Sequence, residues 1–296
     1  MRPYVRSSPT FSGFIKLAAK ILITVLLGGF LGAALVCLAP GLGVDEEELD
    51  SRLNSKSIEA LRQAHPQDSN FLRFYFHYLG RVAHGDLGIS RTLQQPVSQL
   101  IAERMPETLK SVGMGLALGW GVGFLLAVAV VMSRAWYLDL FGGMLAGLLL
   151  CLPAAVLALL FALTQAPVRL VLGCVVFPKV FRYSLNLLAR SSRLPHVLMA
   201  RAKGLGETRI FLWHVLPTAA PQLLALAGVS VSLAFTAAIP MEALCDIPGI
   251  GQLAWKAALG RDLWLLVNLT IVVTLVTLIS NSLPDFFGPR HRVSEA

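Results

Sequence analysis

The chain has 296 residues, of which 55% are hydrophobic and 14% charged, and its mean hydropathy is +0.68. Since a soluble domain of this length needs far less apolar surface and several apolar runs approach the ~20 residues that cross a bilayer, we predict a polytopic helical membrane protein. The net charge of +8 does not indicate nucleic-acid binding, because the basic residues cluster beside apolar runs and lack an aromatic stacking platform.

The N-terminal residues 1–20 are polar and basic, and the apolar run of residues 21–40 follows directly. A signal peptide is the alternative interpretation, but Ala39-Pro40-Gly41 is a poor cleavage site. We therefore expect a cytoplasmic N-terminal segment followed by a first transmembrane helix, since basic residues favour the cytoplasmic side.

Residues 41–106 are too polar to span a membrane. The acidic run from Asp45 to Glu48 lacks the spacing and glycine of a calcium loop, so we interpret it as a solvated helix start. We expect short amphipathic helices on the extracytoplasmic face. A glycine-rich turn from Gly85 to Ser90 and an interfacial helix capped by Pro106 complete this region.

Two further apolar runs predict the second and third spans. The second, Leu109 to Met132, contains five glycines and should lie inside the bundle, because small residues let helices approach closely in lipid. Arg134 marks a short cytoplasmic turn. The third, Leu138 to Leu163, contains Pro153, which we interpret as a tolerated kink.

The fourth predicted span, about Val168 to Leu188, contains Lys179 and Arg182. Charges at membrane depth are costly and usually face a cavity or the protein interior, so both are candidate residues of a translocation path. The alternative is that the side chains extend to the membrane surface, which is easier for Arg182 near the inner end than for Lys179.

A basic loop of residues 190–217 joins this span to the fifth, Ala219 to Ile239. Gly204 is expected to end a first helix, and Glu207 suits the start of a second. Pro217 then ends that second helix or opens the next. A helix, a glycine turn and a helix with a basic rim suit docking into another protein's groove, although an ordinary basic cytoplasmic loop remains the alternative.

This segment resembles the EAA loop of ABC-importer permeases, in which the proline of a Leu-Pro pair follows a glycine by thirteen positions, as Pro217 follows Gly204. The amino-acid sequence from Ala200 to Leu205 is most similar to that of the peptide (DppB/OppB-like) branch. The family's glutamate six residues before the glycine is replaced by Leu198. The resemblance implies a coupling helix seated in a cleft of a cytoplasmic ATPase, carried by Ala200, Arg201, Ala202, Lys203, Gly204, Leu205, Glu207 and Pro217.

Three other stretches match the same family. One is Gly85-Asp-Leu-Gly-Ile-Ser90, and another is Asn281, Asp285 and Pro289-Arg290 at the end of a sixth span, Leu263 to Leu283. The third is a glutamate, a Pro-Gly-x-Gly turn and then Arg261-Asp262, and its two glycines allow a tight re-entrant approach. By the resemblance its first part lies on the side of the binding protein: Glu242, Pro248, Gly249 and Gly251.

The resemblance covers most of the chain and implies an all-α polytopic membrane protein with six transmembrane helices of the type I ABC-importer permease fold. An extracytoplasmic helical insertion would follow the first helix, the permease core would occupy residues 107–290, and residues 291–296 would be a cytoplasmic tail. Such a permease lies in the bacterial inner membrane with both termini cytoplasmic. It forms half of a path for peptides or similar small solutes, together with a second homologous permease, two cytoplasmic ATPases and an extracytoplasmic substrate-binding protein.

The chain shows no catalytic pattern of its own. The phosphate-binding sequence Gly-x-x-x-x-Gly-Lys-Ser/Thr is absent, and the four cysteines lack metal-ligand spacing. We therefore expect no enzyme activity, metal or cofactor in this chain, with ATP and Mg²⁺ bound by the partner ATPases. The alternative function is a non-transporting scaffold or accessory subunit that retains the permease fold. Leu198, Lys179 and the third and fourth spans, which are shorter than is usual in the family, are compatible with this alternative.

Overall fold

The computed structural model describes residues 84–164, 167, 169–260 and 262–287, with isolated positions at 23, 26–27, 30 and 80–81. For residues 263 and 283–287 it describes only the backbone. The predicted N-terminal segment 1–20, the first span 21–40, most of the insertion 41–106, Arg261 and the tail 291–296 lie outside the described residues.

From residue 84 onward, helices account for nearly all of the described structure. They are α1 (Val97–Ser133), α2 (Trp136–Cys151), α3 (Ala154–Leu163), α4 (Leu170–Ser191), α5 (Pro195–Ala202), α6 (Glu207–Ile210), a π-helical turn (Phe211–Val215), α7 (Leu216–Leu244), α8 (Ile250–Leu259) and α9 (Leu263–Phe287). Extended pairing in this part of the chain is limited to one bridge between Ile89 and Pro96. The predicted all-α class is confirmed.

Four described helices are long and apolar enough to cross a membrane. They are α1, α4, the continuous helix Glu207–Leu244, and Trp264–Ser282 within α9. Helices α2 and α3 together are also long and apolar enough to cross a membrane, and as one broken span they would be the fifth. The polytopic character is therefore confirmed, whereas the count of six stays a prediction because the first span is not described.

Two predictions about prolines are wrong. Pro153 does not kink one helix: α2 and α3 meet at an angle of 96°. Leu152 has φ −94° and ψ 123°, because a proline disfavours the helical conformation of the residue before it. Pro106 does not cap a helix either, since α1 begins at Val97 and runs through Pro106 into the second span. A single missing backbone hydrogen bond is tolerated inside a long apolar helix.

The described chain forms two compact units. Residues 104–253 and 275–287 belong to one, and residues 80–103 and 254–274 belong to the other. In the first unit α4 packs against α7 and α2, and its buried phenylalanines, Phe177 and Phe181, stack with ring centroids 5.8 Å apart. This core supports the loop and the cavities described below.

Three of the five glycines in α1 bring it against α4. A Cβ at Gly119 would lie 2.6 Å from Val176 Cγ1, and a Cβ at Gly123 would lie 3.1 Å from the Phe181 backbone nitrogen. Gly115 likewise faces Leu172. The four-residue spacing of these glycines gives the close helix approach expected from the sequence.

Candidate functional site

The glycine turn of the loop forms as predicted. Helix α5 ends at Ala202, and Gly204 has φ +75°, a conformation that disfavours residues with a Cβ. The Leu205 N–H donates to the Ala200 carbonyl oxygen at 3.3 Å, which closes the helix end. Helix α6 begins at Glu207, so a short helix precedes the turn and another follows it.

Apolar side chains anchor this loop to the core. Ala200 is 4% exposed, and Ile210, Phe211 and Val215 are also buried. Across the turn, Arg201 Nε lies 3.1 Å from Glu207 Oε1. Packing of these apolar side chains therefore anchors the loop, and the ion pair with the exposed Glu207 links the two sides of the turn.

Four large apolar side chains of the loop are exposed. We define the docking face as Leu198, Met199, Leu212 and Trp213, of which Trp213 is 74% exposed. Sequence reasoning missed Met199, Leu212 and Trp213 as functional residues, although a tryptophan in a basic loop is a usable signal. Lys203 and Ala202 are exposed beside this face.

Pro217 does not end the second helix, because the chain is helical on both sides of it. It lies at the start of α7 and is exposed. Because α6, the π-helical turn and α7 form one continuous helix from Glu207 to Leu244, the loop leads directly into the fifth predicted span. A displacement at the docking face would therefore act on the end of a membrane-spanning helix.

Two cavities lie along α4. The first, about 770 Å³, is lined by Arg134, Asp139, Arg182, Arg193 and Arg201 among others, and it adjoins the loop. The second, about 480 Å³, is lined by Lys179 of α4, Ala225, Val229, Ser232, Leu233 and Thr236 of α7, and Asn281 of α9. Lys179 and Arg182, which the sequence grouped together, thus line different cavities.

The Pro-Gly-x-Gly turn is held from inside by Glu242. This carboxylate is 0% exposed, and its Oε2 accepts hydrogen bonds from the Gly251 N–H (2.7 Å) and the Thr108 hydroxyl (3.1 Å). Thr108 Oγ1 in turn accepts from the Ile250 N–H at 2.8 Å. A Cβ at Gly249 would overlap the Glu242 carboxylate, which explains the glycine.

The four residues predicted to lie on the side of the binding protein differ in their exposure. Pro248 is exposed, whereas Glu242, Gly249 and Gly251 are buried. Glu242 is thus a positioning group that shapes the turn. Thr108, which sequence reasoning did not single out, completes the arrangement.

The Gly85–Ser90 turn is tied to the start of α9. Ser90 Oγ donates to Asp262 Oδ2 at 2.6 Å in a buried contact, and Asp262 Oδ1 accepts from the Leu265 N–H at 3.2 Å. Asn268 Nδ2 donates to the Leu87 carbonyl at 3.0 Å. Two of the stretches that carried the family resemblance therefore meet in space, although 172 positions separate Ser90 from Asp262.

Asp86 stabilises the same turn from its exposed side. Its carboxylate accepts from the Gly88 N–H at 2.8 Å and pairs with Arg81 at 2.6 Å. The Gly88 hydrogen bond, followed by that from Arg81, lowers the pKa of Asp86 below its ordinary value. The carboxylate therefore stays charged down to a lower pH than in the unfolded chain.

A comparison with the profiles of protein families identifies the family of this chain. The profile of the family described as "binding-protein-dependent transport system inner membrane component" matches residues 119–293, more than half of the chain. This chain belongs to that family. The matched region of this inner membrane component begins within α1 and extends past the end of α9. It therefore includes the loop, both cavities and the Glu242 turn.

Two relatives of this inner membrane component illustrate the similarity. It is 25% identical to the dipeptide transport system permease protein DppB of Lactococcus lactis subsp. cremoris over 94% of this chain and 98% of that protein. It is 29% identical to the oligopeptide transport system permease protein OppB of Escherichia coli K12 over 67% of this chain and 72% of that protein.

Proposed function

We propose that this chain is the transmembrane permease subunit of an ATP-driven importer for peptides or similar small solutes. It forms half of the translocation path and couples to a cytoplasmic ATPase through the 198–217 loop. The docking face carries this proposal, because a loop anchored by buried Ile210 and Phe211 leaves Trp213 74% exposed. Exposed apolar side chains with polar neighbours mark a surface that contacts another protein or the membrane, and the exposed Lys203 beside this face favours a protein partner.

The other partners follow from the same assignment. A second, homologous permease completes the path, two cytoplasmic ATPases bind ATP and Mg²⁺, and an extracytoplasmic substrate-binding protein delivers the solute. The exposed Pro248 turn faces that binding protein, and both chain termini are cytoplasmic. We include dipeptides and oligopeptides among the solutes because the two relatives are named dipeptide and oligopeptide transport permeases.

Coupling works through the continuous helix that begins beside the turn. ATP-driven closure of the ATPases moves the docking face, and α7 carries this movement into the membrane because no break separates it from α6. Gly204 permits the turn that presents the docking face. The spans then rock between outward-facing and inward-facing states.

A pair of glycine substitutions tests the coupling role. Gly204→Leu forces a side chain into the left-handed region, at a cost of about 1–2 kcal/mol, and should abolish peptide uptake while the chain still reaches the membrane. Gly206→Leu is the matched control, because Gly206 has φ −64° and nothing within 4 Å of its Cβ position. Normal uptake by the Gly204→Leu protein would contradict the coupling role.

Co-purification separates the permease from the scaffold alternative. The proposal predicts an ATPase that purifies with this chain and is stimulated when a peptide-loaded binding protein is added. A stable complex that contains no ATPase would instead support a scaffold that retains the permease fold.

A further inference from the structure

We propose that Lys179 binds a carboxylate of the transported solute in the cavity between α4, α7 and α9, and this inference rests on the proposed function. The cavity volume of about 480 Å³ lies within the roughly 300–1,000 Å³ typical of small-molecule sites. The implied solute class is a small molecule with a free carboxylate, such as a peptide whose C-terminus is unblocked.

Lys179 lies too far from both ends of α4 for its side chain to reach either of them. Helix α4 has 22 residues, and Lys179 is followed by twelve of them, so it lies roughly 14 Å from one helix end and 18 Å from the other at 1.5 Å per residue. A lysine side chain reaches only about 6 Å, which is insufficient in either direction. Its ammonium group therefore depends on what the cavity contains.

Among the described residues, none supplies a counter-ion for this ammonium group. No acidic residue lines the cavity, and within the described part of the chain no carboxylate lies within 4 Å of Lys179 Nζ. Arg182, one turn further along α4, differs because its cavity includes Asp139. An unpaired cation at membrane depth is costly, so a residue of this kind is expected to meet an anion that comes and goes.

The lining opposite Lys179 contains three polar side chains, Ser232, Thr236 and Asn281, beside three apolar ones. Ser232 Oγ donates to Asn281 Oδ1 at 2.9 Å, and Thr236 Oγ1 donates to the Ser232 carbonyl at 2.9 Å. Asn281 accepts through its oxygen, so its amide nitrogen is the atom that can donate, and it lines the same cavity as Lys179. An ammonium group and an amide donor together suit the two oxygens of a carboxylate.

Transport by the complete, reconstituted importer with its binding protein tests this inference. The probes are radiolabelled tri-alanine and tri-alanine amide, which differ in charge at the C-terminus. Lys179→Met should lower the ratio of tri-alanine to amide uptake by roughly tenfold or more, as expected for a lost hydrogen bond to a charged group. Lys179→Arg keeps the charge and should retain most of the preference.

Two controls make the ratio specific to the cavity. The same binding protein is present in every assay, so its own preference cancels when variants are compared with the wild type. Arg190→Met removes an exposed charge from the last turn of the same helix, at a residue that lines neither cavity, and should leave the ratio unchanged.

The outcomes that contradict the two proposals are distinct. If the Lys179→Met importer still transports and its ratio is unchanged, or if Lys179→Arg loses the preference as fully as Lys179→Met, the carboxylate site is overturned and the importer function stands. If the wild-type complex imports neither peptide, peptide import itself is contradicted, and the inference that depends on it falls as well.

Discussion

Two turns in the same compact unit are built in opposite ways. The turn at Gly249–Gly251 surrounds a fully buried carboxylate, and its glycines leave no room for a side chain. The turn at Gly204 has nothing within 4 Å of its Cβ position and lies beside exposed Leu198 and Trp213. The first turn is completed by its own chain, whereas the second presents a surface that a partner can cover.

The largest effect on stability should come from Glu242→Ala. This change removes the acceptor of the Gly251 N–H and the Thr108 hydroxyl, and two buried donors without partners cost about 3 kcal/mol. The apparent Tm of the detergent-solubilised chain should fall by roughly 5–10 °C. Glu207→Ala, at an exposed carboxylate, is the control, and equal Tm values for the two variants would remove the distinction between the turns.

A smaller effect is expected from Gly251→Ala. The new Cβ would lie 2.6 Å from Ile239 Cα, and such overpacking costs about 1–3 kcal/mol. Gly206→Ala, beside the open turn, should change stability by no more than ~0.5 kcal/mol because its backbone conformation accepts alanine. Thermal unfolding of both variants measures the difference. An unaffected Gly251→Ala protein would show that the buried turn is not tightly packed.

The smallest effect should come from the ion pair across the open turn. Glu207→Gln weakens its contacts with Arg201 and Arg134, and exposed pairs of this kind contribute roughly 0–1 kcal/mol. The remaining difference from wild type should shrink as salt is added, since exposed charges are screened. A large loss of stability that persists in high salt would mean that this turn, too, is held from inside.

The sequence predicted what depends on neighbouring residues. The helix–glycine–helix form of the loop was predictable because Gly204, Glu207 and the apolar spacing act locally. The fourth span was placed within a few residues of α4 for the same reason. The family was also recognisable, since its motifs occupy short, continuous stretches.

What the sequence did not predict depends on distant partners. Ser90 and Asp262, and likewise Thr108 and Glu242, come together only through the fold. The break at Pro153 was missed because the same residue can kink or end a helix, depending on what packs around it. Lys179 and Arg182 were assigned to one translocation path because both are charged residues of the same apolar span, although the packing of α4 places them at different cavities.

The central claim is that the docking face lies on the cytoplasmic side and is covered by an ATPase in the intact importer. The most direct test is maleimide labelling of Trp213→Cys in a chain whose four native cysteines are replaced, using sealed vesicles of both orientations and a reagent that cannot cross the membrane. We predict labelling only in inverted vesicles, and only after the ATPase is stripped away. Labelling from the extracytoplasmic side, or equal labelling with the ATPase bound, would contradict the account.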